Sequence, residues 1–99
     1  MKLIHKMIEH IEEELEGAKS YAEKSIDSKA RGNMARAEKY AEMARDELKH
    51  ATYIKEFAMA DIEDIKRVYK LPVEDEEKWE HAHKHFIECM AIIKQMLAM

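Results

Sequence analysis

The sequence predicts an all-α protein: a hairpin of two long antiparallel helices followed by a third, C-terminal helix. Three observations predict it. Glycine occurs twice and proline once in 99 residues, so the chain has few places to turn. Valine and threonine together number three, against abundant Ala, Glu, Lys, Met and Ile, a balance that favours helix over sheet. Between the few breaks, apolar residues recur at three- and four-residue spacing, the signature of a helix with one buried face.

The breaks set the elements. Gly32-Asn33 is the first, a helix-ending glycine followed by a residue able to cap the next helix. Leu71-Pro72 is the second, because proline biases its predecessor out of the helical region. The acidic run Glu74, Asp75, Glu76, Glu77 suits the positive end of a new helix. The expected helices therefore cover about 2–30, about 34–70 and about 74–98 of one domain, 1–99. The second would be roughly 55 Å long, a rod that belongs in a bundle or coiled coil. The first carries a stripe of Met7, Ile11, Ala18 and Tyr21, flanked by Ile4, Ile8 and Leu15. The second carries Ala37, Tyr40, Ala44, Ala51, Ile54, Ala58 and Ile65. The third carries Trp79, Phe86, Met90, Ile93 and Leu97.

Composition excludes several classes of function. Hydrophobic residues make up 46% and charged residues 38%, too apolar for a disordered chain and too charged for a membrane protein. A net charge of −4 argues against nucleic acid as the main partner. One cysteine, Cys89, allows neither an internal disulfide nor a Cys-x-x-Cys rubredoxin-type centre. A reducing, cytoplasmic setting is expected, and Glu9 and Glu12 interrupt any signal-peptide apolar region. A core this modest favours self-association along the long second helix.

Two stripes are interrupted by residues that ligate metals. In the first helix Glu14 fills the gap between Ile11 and Ala18. In the second, Glu47 fills the gap between Ala44 and Ala51, with His50 three residues on. A carboxylate in an apolar seam costs several kcal/mol unless a charge or metal compensates it, and neither seam offers a Lys or Arg in register. Residues at i and i+3 share a helix face, so Glu47 and His50 can grip one ion together. Di-iron bundles use a Glu from each of two helices and a Glu-x-x-His from each of two others. One hairpin supplies half of that set, and two copies about a two-fold axis supply four Glu and two His. The donor mix suits iron or manganese better than a thiolate-seeking metal, with zinc as a substitute.

At these residues the chain resembles the ferritin-like di-iron proteins, most closely the two-helix half-ferritins that include the encapsulated ferritins. The segment Glu13-Glu14-Leu15-Glu16-Gly17-Ala18-Lys19-Ser20-Tyr21 looks like that group's first-helix motif, with Glu seven residues before Tyr. Arg45-Asp46-Glu47-Leu48-Lys49-His50-Ala51 looks like its second-helix motif, and the interval from Glu14 to Glu47 is 33 residues, as in ferritins and rubrerythrin-like proteins. The likeness covers about residues 8–65. It implies a four-helix bundle completed by dimerisation, with Glu14, Glu47 and His50 as ferroxidase ligands for two irons and Glu47 bridging them. Tyr21 is then a hydrogen-bond partner or electron donor near the iron, the alternative being a core tyrosine with a satisfied hydroxyl. Glu13 and Glu16 match acidic positions that bind metal outside the reaction centre, the alternative being solvated helix charges. Gly17 admits a close helix approach, opens a path for iron, or is incidental; in mid-helix it costs about 1 kcal/mol.

The third helix departs from this pattern. Glu80 and His83 form a second Glu-x-x-His, with Glu76 one turn earlier. A rival geometry builds a single-chain site from Glu14, Glu47, His50, Glu80 and His83; another makes the third helix an accessory metal site; a third leaves it a polar turn. With the two-fold hairpin site, the third helix packs outside or builds a ring or larger oligomer through Trp79, Phe86, Met90, Ile93 and Leu97. The C-terminal residues Ile92 to Met99 continue a helix and lack the linker and apolar tag of encapsulated cargo, so an encapsulin shell is not supported. The expected activity is oxidation of Fe²⁺ to Fe³⁺ by O₂ or peroxide, for iron storage or detoxification. The alternatives are a non-catalytic helical assembly protein stapled by metal, or a rubrerythrin-like peroxide reductase.

Overall fold

The computed structural model describes residues 1–99 as three helices: α1 (Lys2–Ala30), α2 (Met34–Val68) and α3 (Val73–Leu97). No helix is long and apolar enough to cross a membrane. The reversal between α1 and α2 rests on Gly32, whose φ of +82° is open to glycine at no steric cost. Gly32 N–H donates to the Lys29 carbonyl at 3.0 Å, and Asn33 N–H to the Ser28 carbonyl at 2.9 Å. This paired closure satisfies the last carbonyls of α1. The Asn33 side chain then accepts from Arg36 N–H at 3.1 Å and caps α2. Ser25 Oγ donates to the Ala37 carbonyl at 2.7 Å and ties the two helix ends together.

The second connection falls where it was expected, and α2 ends two residues earlier. Tyr69 has already turned extended, at φ −128° and ψ 151°, so α2 stops at Val68. Pro72 keeps Leu71 out of helix, and Leu71 plugs the end of the bundle against Ile4 and Ile62. Helix α3 starts at Val73, with Glu74, Asp75 and Glu76 in its first turn, where the helix dipole favours negative charge. Asp75 is buried, accepts from the amine of Met1 at 2.8 Å and lies 3.6 Å from His5. The hydrogen bond to that amine holds its carboxyl below the usual value, aided by the charges of Met1, His5 and Lys78 against the opposing effect of burial. At the other end Lys29 Nζ donates to the Met99 carbonyl. Helix α3 therefore runs parallel to α1 and antiparallel to α2, in a rod of 55 × 18 × 17 Å.

The core divides by residue size. Ala18 and Ala22 of α1 share a cluster with the buried alanines Ala44 and Ala51 of α2. Small side chains let two helix axes approach to the short end of the usual ~8–10 Å range. On the other side of this seam, Phe86 and Ile93 of α3 complete the cluster with Ile11, Leu15 and Leu48, and Trp79, Met90 and Leu97 pack against it. The apolar stripe of α3 thus packs against the hairpin, the first of the two uses expected for it. The stripe of α2 is corrected. Ala41, Leu48 and Ile62 are buried, whereas Tyr40, Ile54 and Ile65 are only half-buried. Helix α3 lies chiefly along α1 and reaches α2 through side chains, with Phe86 and Ile93 in one cluster with Leu48.

Candidate metal centre

Glu14 stands at the edge of the alanine seam on α1, and Glu47 faces it from α2. Their side chains are 19% and 27% exposed, so each carboxylate has given up most of its water. His50, one turn along α2 from Glu47, is 55% exposed and closes the group from the solvent side. One ligand atom from each of the three lies within 4.8 Å of the others. His50 Nδ1 is 3.6 Å from Glu14 Oε2 and 4.0 Å from Glu47 Oε1, too long for hydrogen bonds. No Lys or Arg pairs with either carboxylate; the partners of Glu14 are two imidazoles, His10 and His50.

Three features bear on what this arrangement could hold. Glu14 Oε2 is fully buried and has no hydrogen-bond partner, a rare and costly condition for a carboxylate oxygen. Two carboxyls this close can hydrogen-bond only if one keeps a proton. Such a bond to Glu14, open only to the protonated form, is the main cause pushing the Glu47 carboxyl above its ordinary 4.5. Burial and the negative charges of Glu14 and Asp46 push the same way, and His50 opposes them. Finally, Gly17 leaves space for the Glu47 carboxylate: a Cβ there would sit 3.1 Å from Glu47 Oε2. The close approach that this glycine admits is that of the Glu47 carboxylate. A divalent cation would give the bare oxygen a partner, replace the shared proton and cancel the repulsion. The donor set of two carboxylates and an imidazole suits iron or manganese and also accepts zinc.

The centre lies on the hairpin face away from α3. At 100° per residue, Glu47 and His50 occupy the other flank of α2 from Leu48 and Thr52, which line the groove shared with Met90 and Leu97. The face around the centre is uncovered within the chain and carries exposed apolar side chains. Met43, His50 and Phe57 recur at seven-residue spacing on α2, as do Leu3, His10 and Gly17 on α1. Leu3, Met43 and Phe57 are 46%, 40% and 67% exposed.

The remaining candidates are placed elsewhere. Tyr21 lies two turns along α1 from Glu14 and stacks on Tyr40, ring centroids 6.3 Å apart, with Lys24 Nζ over both rings. Glu13 and Glu16 are exposed, with no ion pair. Glu76 pairs with Lys66 at 3.6 Å. Glu80 and His83 line a groove with Met59 and Trp79, on the far flank of α2 from Glu47, and His83 lies against the Trp79 ring. They do not join Glu14, Glu47 and His50, so the five-residue single-chain site is not formed. His10 escaped the reading of the sequence. Its signal was its position four residues before Glu14, one turn away on the same face. In comparison with known proteins, no family model, no curated protein and no solved structure matches the chain.

Proposed function

We propose that the protein is a ferroxidase of the ferritin-like di-iron kind, with Fe²⁺ as its substrate and two chains building the reaction centre. The observation that carries this reading is the group Glu14, Glu47 and His50, with its bare buried oxygen and the glycine that makes room for a carboxylate. Three ligands are half of a di-iron set. A second copy, docked on the uncovered face by the Met43 and Phe57 stripe, supplies the other half: four Glu and two His for two irons. Met43 and Phe57 stand seven residues either side of His50, the repeat that two packed helices share along a seam.

The chemistry asked of the residues is simple. Carboxylates favour the higher charge of Fe³⁺, so anionic oxygens in a water-poor crevice promote loss of an electron. With peroxide as acceptor, two Fe²⁺ give up two electrons and the peroxide takes two protons to become two waters. His50 stays neutral to ligate, and the Glu47 carboxyl releases its proton on binding. An acidic protein draws cations to its surface, and one cysteine fits a reducing, cytoplasmic setting.

The test is aerobic oxidation of Fe²⁺ followed by absorbance, with metal content measured on the same samples. The native chain is expected to turn over and to bind iron, and Glu47→Ala and His50→Ala to fall to the rate of free solution. Native rates in both variants would overturn the reading. One inert ion per dimer without turnover would instead identify the metal as a staple of a helical assembly.

A further inference from the structure

The two oxygens of Glu14 face different imidazoles. Oε2 looks towards His50 and the group with Glu47. Oε1 looks towards His10, whose Nε2 is 3.6 Å away on the preceding turn of α1. His10 is not among the residues whose ligand atoms lie within 4.8 Å of one another, so it does not serve the same point in space. A gap of this size is too wide for a hydrogen bond. Two donors bound about 2.1 Å from one ion at a tetrahedral angle lie ~3.4 Å apart, close to what is seen. Residues at i and i+4 on a helix are a common pair of ligands to a single ion.

We infer that each chain holds a second divalent transition metal ion, between His10 Nε2 and Glu14 Oε1, with Glu14 as the carboxylate bridging it to the ion at Glu47 and His50. This rests on the metal reading above and extends it: the two-chain centre alone takes one ion per chain, whereas His10 makes it two. His10 is more than half exposed, so the second position faces solvent and exchanges with it. Glu13, exposed and three residues on from His10, shares this side of α1 and is within reach of the same position. An ion held by one imidazole and one shared carboxylate binds more weakly than the inner one, so the two fill in sequence.

Anaerobic titration of the metal-free protein with Co²⁺, followed by calorimetry and by the visible absorption of bound cobalt, decides it. The native chain is expected to take two ions per chain, a tight one and then a weaker one. His10→Gln should retain the tight ion and lose the weaker, going from two to one. Glu47→Ala should lose the tight ion. One ion per chain in the native protein, or two in His10→Gln, overturns the second site while leaving the inner one standing. No binding to the native protein overturns both. His10→Gln at native thermal stability without metal shows that the loss is one of ligation and not of fold.

Discussion

Glu47-x-x-His50 on α2 and Glu80-x-x-His83 on α3 are the same motif in two settings. Both place a carboxylate and an imidazole on one helix face, and both are flanked by apolar residues. Across from the first pair lie Glu14 and the notch left by Gly17. Across from the second lies Met59, and the indole of Trp79 on the same helix lies against His83. The helix sets the spacing within a motif, and the neighbouring helix sets its chemistry. An alanine seam brings a second carboxylate near enough to force the issue of compensating charge. A seam of large side chains holds its polar pair apart from other ligands. The contrast is open to direct attack. Alanine at Glu47 or His50 should weaken metal binding about 100-fold or more, beyond the usual loss for a group that only orients a ligand. Alanine at both Glu80 and His83 should leave affinity for the inner ion and iron oxidation as they are. Calorimetry on the two sets of variants measures this, and equal losses would erase the distinction.

Much of the fold was legible because its punctuation is sparse and physically unambiguous. Gly32 must turn and Pro72 must interrupt, so three helices follow with bounds close to those found. Glu14 and Glu47 stood out because each breaks an apolar rhythm at a place where a charge is expensive, and His50 by its place three residues on from Glu47. What stayed hidden depends on which side a neighbour takes. Leu48 becomes core because Phe86 and Ile93 reach that flank of α2, and Ile62 because Ile4 and Leu71 close on it, which the pattern of α2 alone does not reveal. The stripe of α3 read equally well as an interface with another chain until Phe86 and Ile93 were placed against Leu15. His10 was hidden because an exposed histidine in a charged helix breaks no pattern; only its distance to Glu14 gives it meaning.

The two faces of the hairpin differ as the two motifs do. One is covered by α3, and the other is bare around the centre. Phe57 is the most exposed apolar side chain on the bare face, so Phe57→Asp should weaken self-association about tenfold or more, as loss of an aromatic anchor does. Its effect on the metal-free fold should be small, because the ring buries little within its own chain. Sedimentation at several concentrations reads this directly. A native chain that is monomeric at all of them would remove the two-copy centre.

Gly17 offers a smaller and sharper perturbation. Alanine in mid-helix stabilises by about 1 kcal/mol over glycine. Here, though, the new Cβ would press on Glu47 Oε2, and the end of that side chain must swing aside. Gly17→Ala should therefore melt higher without metal while binding the inner ion roughly tenfold more weakly. A variant that gains stability and keeps its affinity would mean that the glycine has no part in seating the ligand.

The subtlest difference between the two motifs is one of protons, and it appears in the metal-free protein. The Glu47 carboxyl, held above its ordinary 4.5 chiefly by its hydrogen bond with Glu14, keeps its proton in the folded chain after the unfolded chain has lost it. Below pH 4.5 both states are protonated and its contribution is whole. As pH rises through the folded value that contribution is lost, so thermal stability should decline over this window. Asp75 works the other way and lower down: its depressed carboxyl contributes stability above 3.8 that is lost as pH falls through its folded value. Glu47→Gln should remove the decline and raise the melting temperature of the metal-free protein above the window. Saturating metal should reverse the sign, because ligation requires the proton to leave, and the stabilisation by metal then grows with pH over the same range. Melting curves from pH 4 to 8, with and without Co²⁺, contain both slopes. A metal-free slope that Glu47→Gln leaves unchanged would show that the two carboxyls do not share a proton, and with that the strain relieved by an ion would be gone.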